Sequence, residues 1–230
     1  MMDKISLIIP YKPDYGRRDF VWPFIKMRYQ ELFPDVEICI GGDDSELFCK
    51  ARAVNEAAQK ATGNIFILAD AEVVFDPELI SRIKATIHCH PWLIPFTNAY
   101  RLTKEATDRL IEEGLPPVLH VSDHDIEYNQ YVPGGYINVM TRACFDRVGG
   151  LDERFKGYGF EDMAFALSLD TICGCHFRMD GAIYHLWHPW ADFYHRNFQN
   201  SQELYQRYQT AAGNVSAMMQ LIQERTQINS

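Results

Sequence analysis

Apolar runs, each closed by a polar turn, organise the first third of the chain. Ile5 to Pro10 (ISLIIP) is a continuous apolar run that reads as a buried strand, stopped by Pro10. A polar loop, Tyr11 to Asp19, leads into a helical stretch from Phe20 to Leu32, and Pro23 predicts a start near that residue. Val36 to Ile40 reads as a second strand, ending in the turn Gly41-Gly42-Asp43-Asp44-Ser45. Phe48, Ala51, Val54, Ala58 and Ala61 then recur at helical spacing. Thr62-Gly63-Asn64 stops that helix, and Ile65 to Ala69 is a third apolar run. Asp76-Pro77 predicts a helix N-cap followed by proline at the first helical position.

This β-α-β-α-β alternation implies a mostly parallel sheet with crossover helices, an α/β domain. Ligands on such sheets bind beyond the C-terminal strand ends. Those ends carry Lys12, Asp43-Asp44 and Asp70-Glu72, which predicts one crevice where the three clusters converge. Neither a dinucleotide-binding nor a P-loop signature is present. The later half is more mixed. Trp92 to Phe96 reads as a strand, Lys104 to Glu113 as a helix, and Leu115 to Tyr131 as a long binding or lid loop. Gly134-Gly135 precedes a strand at Tyr136 to Met140, with a short helix after Thr141 and another from Glu161 to Leu169. Asn200 and Glu203 predict a capping box for a single C-terminal helix running towards Glu224.

With 230 residues, 47% of them hydrophobic, the chain can bury one sizeable core and needs no second domain. A net charge of −9, spread along the chain, argues against a nucleic-acid backbone as the main partner. The six cysteines show no disulfide-scaffold spacing. No signal-like segment precedes the first strand, and no apolar run approaches the ~20 residues a bilayer span needs. The expectation is a soluble, reduced, cytoplasmic protein.

The most informative segment is Val148 to Leu167, VGGLDERFKGYGFEDMAFAL. A Gly-Gly break and a Gly-Tyr-Gly turn lead to adjacent carboxylates, Glu161 and Asp162, at a helix start. Glycines let backbone approach a ligand closely, and acids in a first helical turn sit at the positive end of the helix dipole. Such a loop suits both sugar-hydroxyl binding and general-base work. The spacing G-G-L-D-E-x-F-x-G-Y-G-x-E-D resembles that of nucleotide-sugar glycosyltransferases with the GT-A fold. The likeness is to the C-terminal module shared by β-1,4-galactosyltransferases, chondroitin-polymerase-type enzymes and polypeptide N-acetylgalactosaminyltransferases. Their acceptor loop reads W/Y-G-G-E-D/N; here Tyr158 takes the aromatic place and Phe160 replaces the second glycine.

The resemblance covers roughly residues 4 to 190 and implies a single GT-A domain. Residues 1–100 would form a nucleotide-binding half, 101–195 an acceptor-binding half, and 196–230 a C-terminal helix. LADAEVVF is similar to the family's metal-binding Asp-X-Asp motif, with Glu in the last position. Carboxylates at i and i+2 of an extended strand point to one side, so Asp70 and Glu72 are expected to address one Mn²⁺ or Mg²⁺ ion. The family's late-strand histidine falls on His185, with His188 as the alternative. Pro10, Tyr11, Lys12 and Arg17 are expected around the nucleoside. Asp43 or Asp44 would read the base, and Lys50, Arg52 and Asp70 would complete the nucleotide site. Gly135, Tyr158, Gly159 and Glu161 would hold the acceptor or sugar. The Glu-Asp pair of inverting relatives implies Asp162 as general base, with Glu161 as a hydroxyl ligand. The expected partners are a nucleotide-sugar donor, a UDP-sugar by family habit, and a glycan or other hydroxyl-bearing acceptor. Tyr128, Tyr131, Tyr136, Tyr158, Trp187 and Trp190 are candidates to line the acceptor groove. A sugar nucleotidyltransferase and a non-catalytic nucleotide-sugar- or glycan-binding domain are the competing readings. The first fits PYKPDYGRRDF poorly, since that loop has one glycine; joint retention of Asp70, Glu72, Asp162 and His185 speaks against the second.

Overall fold

A computed structural model describes residues 3–190 and 195–227. Three apolar runs become adjacent parallel strands: β1 (Ile5–Pro10), β2 (Glu37–Gly41) and β3 (Ile65–Ala69). They are joined by helices α1 (Arg17–Leu32) and α2 (Lys50–Lys60). All side chains of β1 and β3 are buried, because helices cover both faces of the sheet. Helix α1 begins six residues before Pro23, against expectation. The Asp14 carboxylate accepts the backbone N–H groups of Gly16, Arg18 and Asp19, which satisfies the first turn and lets Pro23 sit within the helix.

The chain then crosses to a second sheet. Strand β4 (Val73–Phe75) precedes helix α3 (Glu78–Thr86), and Asp76 makes no side-chain cap there, contrary to the expectation. Strands β5 (Trp92–Ile94) and β6 (Asn98–Leu102) and helix α4 (Lys104–Glu112) follow. The expected 115–131 loop is partly structured: it holds strand β7 (Ile126–Asn129), antiparallel to β6. Strand β8 (Ile137–Thr141), helices α5 (Arg142–Arg147) and α6 (Glu161–Ile172), and strands β9 (Phe177–Arg178) and β10 (Ala182–His185) complete the domain. The larger sheet has the order β2-β1-β3-β8-β5-β9, and the smaller β4-β10-β6-β7. Strand β8 runs antiparallel to β3 and β5, so the central sheet is mixed. That direction places the start of β8 beside the end of β3, where the Asp70 N–H donates to the Tyr136 carbonyl at 2.9 Å.

The single C-terminal helix expected from the sequence is two, α7 (Phe198–Ala211) and α8 (Val215–Gln227), broken at Gly213 with φ +76. Both pack on α6. Buried Asp152 fixes them, accepting from Tyr208 Oη at 2.7 Å and pairing with Arg154 and Arg225. Cys144 and Cys173, expected reduced, form a disulfide with Cα atoms 6.1 Å apart, tying α5 to the end of α6. No helix among the described residues is long and apolar enough to cross a membrane.

Gly134 shows how tightly the site is built. Its φ is +80, and a Cβ there would lie 2.2 Å from the Asp162 carbonyl oxygen. Gly134→Ala should therefore cost about 2 kcal/mol or more, from left-handed strain plus displacement of the α6 N-terminus. Thermal denaturation reads this directly; an unchanged midpoint would mean that the contact is not needed.

Candidate active site

The turn between the two sheets carries the central chemistry. The Asp70 carbonyl accepts the Val73 N–H at 3.1 Å, so residues 70–73 turn and are not extended. The extended strand on which the same-side expectation for Asp70 and Glu72 rested is therefore a turn, and the two carboxylates have different ion-pair partners, Lys50 for Asp70 and Arg18 for Glu72. Glu72 meets His185 and His188: one ligand atom from each of the three lies within 4.8 Å of the others, and all three residues are buried. Pairing of β10 with β4 brings this about, setting His185 opposite Val73, and the Leu186 N–H donates to the Glu72 carbonyl at 2.9 Å. His185 and His188 were alternatives in the sequence; the structure brings both to one place.

The donor set suits a divalent cation. Burial pushes the His185 imidazole down to about 4, so it is neutral at physiological pH, and its Nδ1 is buried with no hydrogen-bond partner. His188 is likewise held below its usual value by burial, while its Nδ1 lies 2.7 Å from the Pro189 carbonyl, leaving Nε2 towards Glu72. Burial opposes ionisation of Glu72, but Arg18 and the two imidazoles outweigh it and hold its carboxyl below the usual range. Two imidazoles and one carboxylate fit Mn²⁺ better than Mg²⁺, which favours oxygen ligands alone. Arg18, the ion-pair partner of Glu72, was not singled out in the sequence.

Asp70 pairs with a lysine. Lys50, at the start of α2, places Nζ 2.6 Å from Asp70 Oδ1 and 2.8 Å from Asp162 Oδ2. Residues from both halves of the chain thus share one amine. Burial disfavours the Lys50 charge, yet Asp162, Asp70 and Glu161 together hold it well above its usual range. Asp162 is pushed up by burial and by the neighbouring Glu161 and Asp70, with Lys50 opposing. Glu161 is raised chiefly by burial, and its Oε2 has no partner. Pro10, Gly134 and Tyr136 complete the floor of this crevice with Lys50, Asp70 and Asp162.

The loop before α6 is gripped from the C-terminal side. Asn197 donates its N–H to His195 Nδ1 at 3.2 Å, which leaves Nε2–H to donate to the Tyr158 carbonyl at 3.0 Å. Phe160 takes φ +75, the left-handed conformation that suits glycine, and its ring packs on Phe198 and Tyr205 of α7. The bulky residue is thus accommodated by α7. Gly159 (φ +107) precedes it, and Gly135 sits in the turn that leads into β8.

The remaining candidates fall in several places. Tyr11 donates to Asp19 and stacks on Trp22, with ring centroids 5.2 Å apart. Lys12 donates to the Ser45 carbonyl at 2.6 Å. Asp43 is buried, accepts from Cys49 N–H and Arg52, and so shapes the loop before α2; Asp44 is exposed. Arg52 spans Asp43 and Glu153 on the surface. Arg17 pairs with Asp108 and lies over Phe20 and Trp187; Arg18, one residue on, pairs with Glu72 of the cation-ready cluster instead.

Residues 117–189 match a family described as the N-terminal domain of galactosyltransferase. No curated protein matches the sequence significantly. Among solved structures, the catalytic domain of Drosophila β1,4-galactosyltransferase 7 in complex with xylobiose is 13% identical, with TM-score 0.53, 90% of this chain and 81% of that chain covered. Across structures of that fly enzyme the chain spans between 65% and 81% of their length. Glucosyl-3-phosphoglycerate synthase from Mycobacterium tuberculosis, in complex with Mn²⁺, UDP-glucose and phosphoglyceric acid, is 12% identical, with TM-score 0.53, 93% and 80% covered. S. aureus TarS in complex with UDP-GlcNAc is 11% identical, with TM-score 0.59, 97% and 71% covered. The chain therefore has the GT-A fold of these glycosyltransferases.

Proposed function

Starting from that fold, we propose that the protein is a metal-dependent glycosyltransferase. It moves a sugar from a UDP-sugar to an acceptor hydroxyl with inversion. The observation that carries this reading is the arrangement of two sites across one short turn. Glu72, His185 and His188 form a cation-ready cluster, and Asp70 next to it shares Lys50 with Asp162. A non-catalytic binder has no use for a buried carboxylate poised beside that cluster.

Glu72, His185 and His188 would hold Mn²⁺, which when bound supplies positive charge to a diphosphate leaving group. The other steps belong to the chain. Asp162 Oδ accepts the proton of the attacking acceptor hydroxyl, since inversion needs the nucleophile deprotonated as it attacks. Glu161, fixed at the start of α6 with an unpartnered oxygen, takes a sugar hydroxyl. Lys50 opposes the upward push that burial and the neighbouring acids give Asp162, and offers its charge to incoming phosphate. Pro10, Tyr11 and Lys12, with the loop that Asp43 shapes, lie at the nucleoside end of the crevice, beyond β1 and β2. In the fly galactosyltransferase, the mycobacterial synthase and TarS, the bound sugars and UDP-sugars fit this class of chemistry.

Calorimetry with UDP in the presence and absence of Mn²⁺, followed by a screen of UDP-sugars for hydrolysis, tests the reading. Metal-dependent UDP binding and turnover of one donor are expected; absence of both would end it. A second expectation concerns Lys50. Removing the cation in Lys50→Met should raise the Asp162 pKa by roughly 1–3 units. The acidic limb of the rate profile then moves to higher pH, and Lys50→Arg should restore it. A limb that does not move would remove Lys50 from control of the base.

A further inference from the structure

Three of the four residues before Glu161 have left-handed backbone: Gly157 at φ +83, Gly159 at +107 and Phe160 at +75. For Phe160 that conformation is strained, and such strain persists only where the surroundings over-determine it. The Phe160 carbonyl accepts the Ala164 N–H at 2.9 Å, so this turn aims helix α6 and with it the Glu161-Asp162 pair. A turn of this shape closes no ladder of its own, and its backbone groups need partners from elsewhere.

Those partners come from two directions. On one side the Gly157 N–H donates to the Phe48 carbonyl at 3.0 Å, two residues before Lys50. On the other is the segment that opens α7. Asn197 Nδ2 donates to the Lys156 carbonyl at 3.1 Å, and the rings of Phe198 and Tyr205 lie 5.5 and 5.4 Å from that of Phe160. The buried His195 reaches the centre of the turn, with Nε2 3.0 Å from the Tyr158 carbonyl oxygen. A Cβ on Gly157 would come within 2.5 Å of the imidazole Cε1, so glycine is what lets ring and turn meet.

The imidazole is itself fixed. The Asn197 N–H donates to Nδ1 at 3.2 Å, and the Phe198 N–H donates to the His195 carbonyl at 3.0 Å. With Nδ1 accepting, the proton sits on Nε2 and is given to Tyr158. Among the described residues, the hydrogen bonds of His195 go to the backbone of the loop and of the start of α7, and none goes to Glu161 or Asp162. Any influence on those carboxylates therefore runs through the chain.

We propose that His195 is a positioning residue for the base: its Nε2–H, given to the Tyr158 carbonyl, holds the strained turn so that α6 starts with Asp162 against Lys50. This rests on the transferase reading, since it explains how the base of that same site is held. Asn197 and the Phe160 ring set where the loop lies, and the His195 bond fixes the peptide at its centre. A displacement of about 1 Å at a reacting group is enough to cost on the order of 100-fold in rate.

The test uses the full chain with Mn²⁺ and follows hydrolysis of UDP-galactose, UDP-glucose and UDP-N-acetylglucosamine, in which water takes the acceptor's place. His195→Phe keeps the bulk of the ring without its hydrogen bonds. It should lower kcat by on the order of 10–100-fold, with KM and UDP–Mn²⁺ affinity within threefold of wild type. His195→Gln offers an amide N–H near the place of Nε2 and should keep kcat within threefold. His195→Ala repeats the first comparison should the phenyl ring not be accommodated. In an Asp162→Asn background, His195→Phe should lower the residual rate less than twofold, because a residue acting through the base has nothing left to act on. Hydrogen exchange of the metal-free proteins gives a readout free of turnover. The amides of 157–162 should exchange at least tenfold faster in His195→Phe, with β1 and β3 unchanged, and His195→Gln should restore them. A kcat within twofold of wild type in both His195→Phe and His195→Ala would overturn the proposal. So would a Gln variant as slow as the Phe one, a full penalty retained beside Asp162→Asn, or unchanged exchange at 157–162. If wild type hydrolyses no donor while exchange in the loop still responds, the transferase reading falls and the hold of His195 on the start of α6 stands.

Discussion

Asp162→Asn should lower sugar transfer by roughly 10²–10⁴-fold, the usual contribution of a positioned base, while leaving UDP–Mn²⁺ binding within about twofold of wild type. The amide keeps the shape of the side chain but cannot take the acceptor proton. Lys50 keeps its second partner, Asp70, at 2.6 Å, so the floor of the crevice should hold. The pH dependence gives an independent signature. Asp162 is raised by burial and by Glu161 and Asp70, so wild-type activity should climb with pH through the neutral range, above where an ordinary carboxylate has finished titrating. The sign for stability is opposite. A carboxyl whose folded pKa lies above its unfolded one binds more protons in the folded state across that window. Stability from this group is therefore full at low pH and is lost as pH rises through the folded pKa. Asp162→Asn removes that loss, so its denaturation midpoint should depend less on pH between acid and neutral conditions than that of wild type. Unimpaired transfer by this variant would transfer the role of base to another group, with Glu161 first in line.

Much of this arrangement could be read from local pattern. The buried runs of β1 and β3 and the periodic face of α2 are dense in apolar residues, and the strand ends that follow them carry the acids that define the crevice. The Glu161-Asp162 start of α6 was equally plain, because two glycine turns precede it. What could not be read depends on contacts between distant residues. Strands β6 and β7 alternate weakly and are only partly buried, and β10 and the small sheet give them their register. The separate partners of Asp70 and Glu72 come with the turn between β3 and β4, which belong to different sheets. On helix α1, successive side chains differ by about 100° around the axis. That single step separates Arg17, paired with Asp108, from Arg18, paired with Glu72. Lys50, expected only as part of the nucleotide site, gains its second connection from α6, more than a hundred positions away.

His185→Leu should separate metal binding from folding with opposite signs. In the metal-free protein, His185 buries Nδ1 without a partner, and an unsatisfied buried polar group costs about 1–3 kcal/mol. Leucine is apolar and of comparable bulk, so the metal-free variant should unfold at the same temperature as wild type or somewhat higher. Loss of one of three protein donors should at the same time weaken Mn²⁺ by on the order of 100-fold, roughly 2.8 kcal/mol of coordination. Mn²⁺ that binds only the folded state raises the midpoint of wild type, by linkage, and this gain should vanish in the variant. Glu72→Gln should lose Mn²⁺ in the same way, although its free partner Arg18 would then be left without its carboxylate and the metal-free protein should be less stable. Thermal denaturation of the three proteins over a Mn²⁺ titration decides the matter. Equal Mn²⁺ stabilisation in wild type and His185→Leu would show that the ion, if bound, is held elsewhere. A marked loss of stability in metal-free His185→Leu would show instead that the imidazole serves the fold, with its Nδ1 satisfied by water and not waiting for a cation.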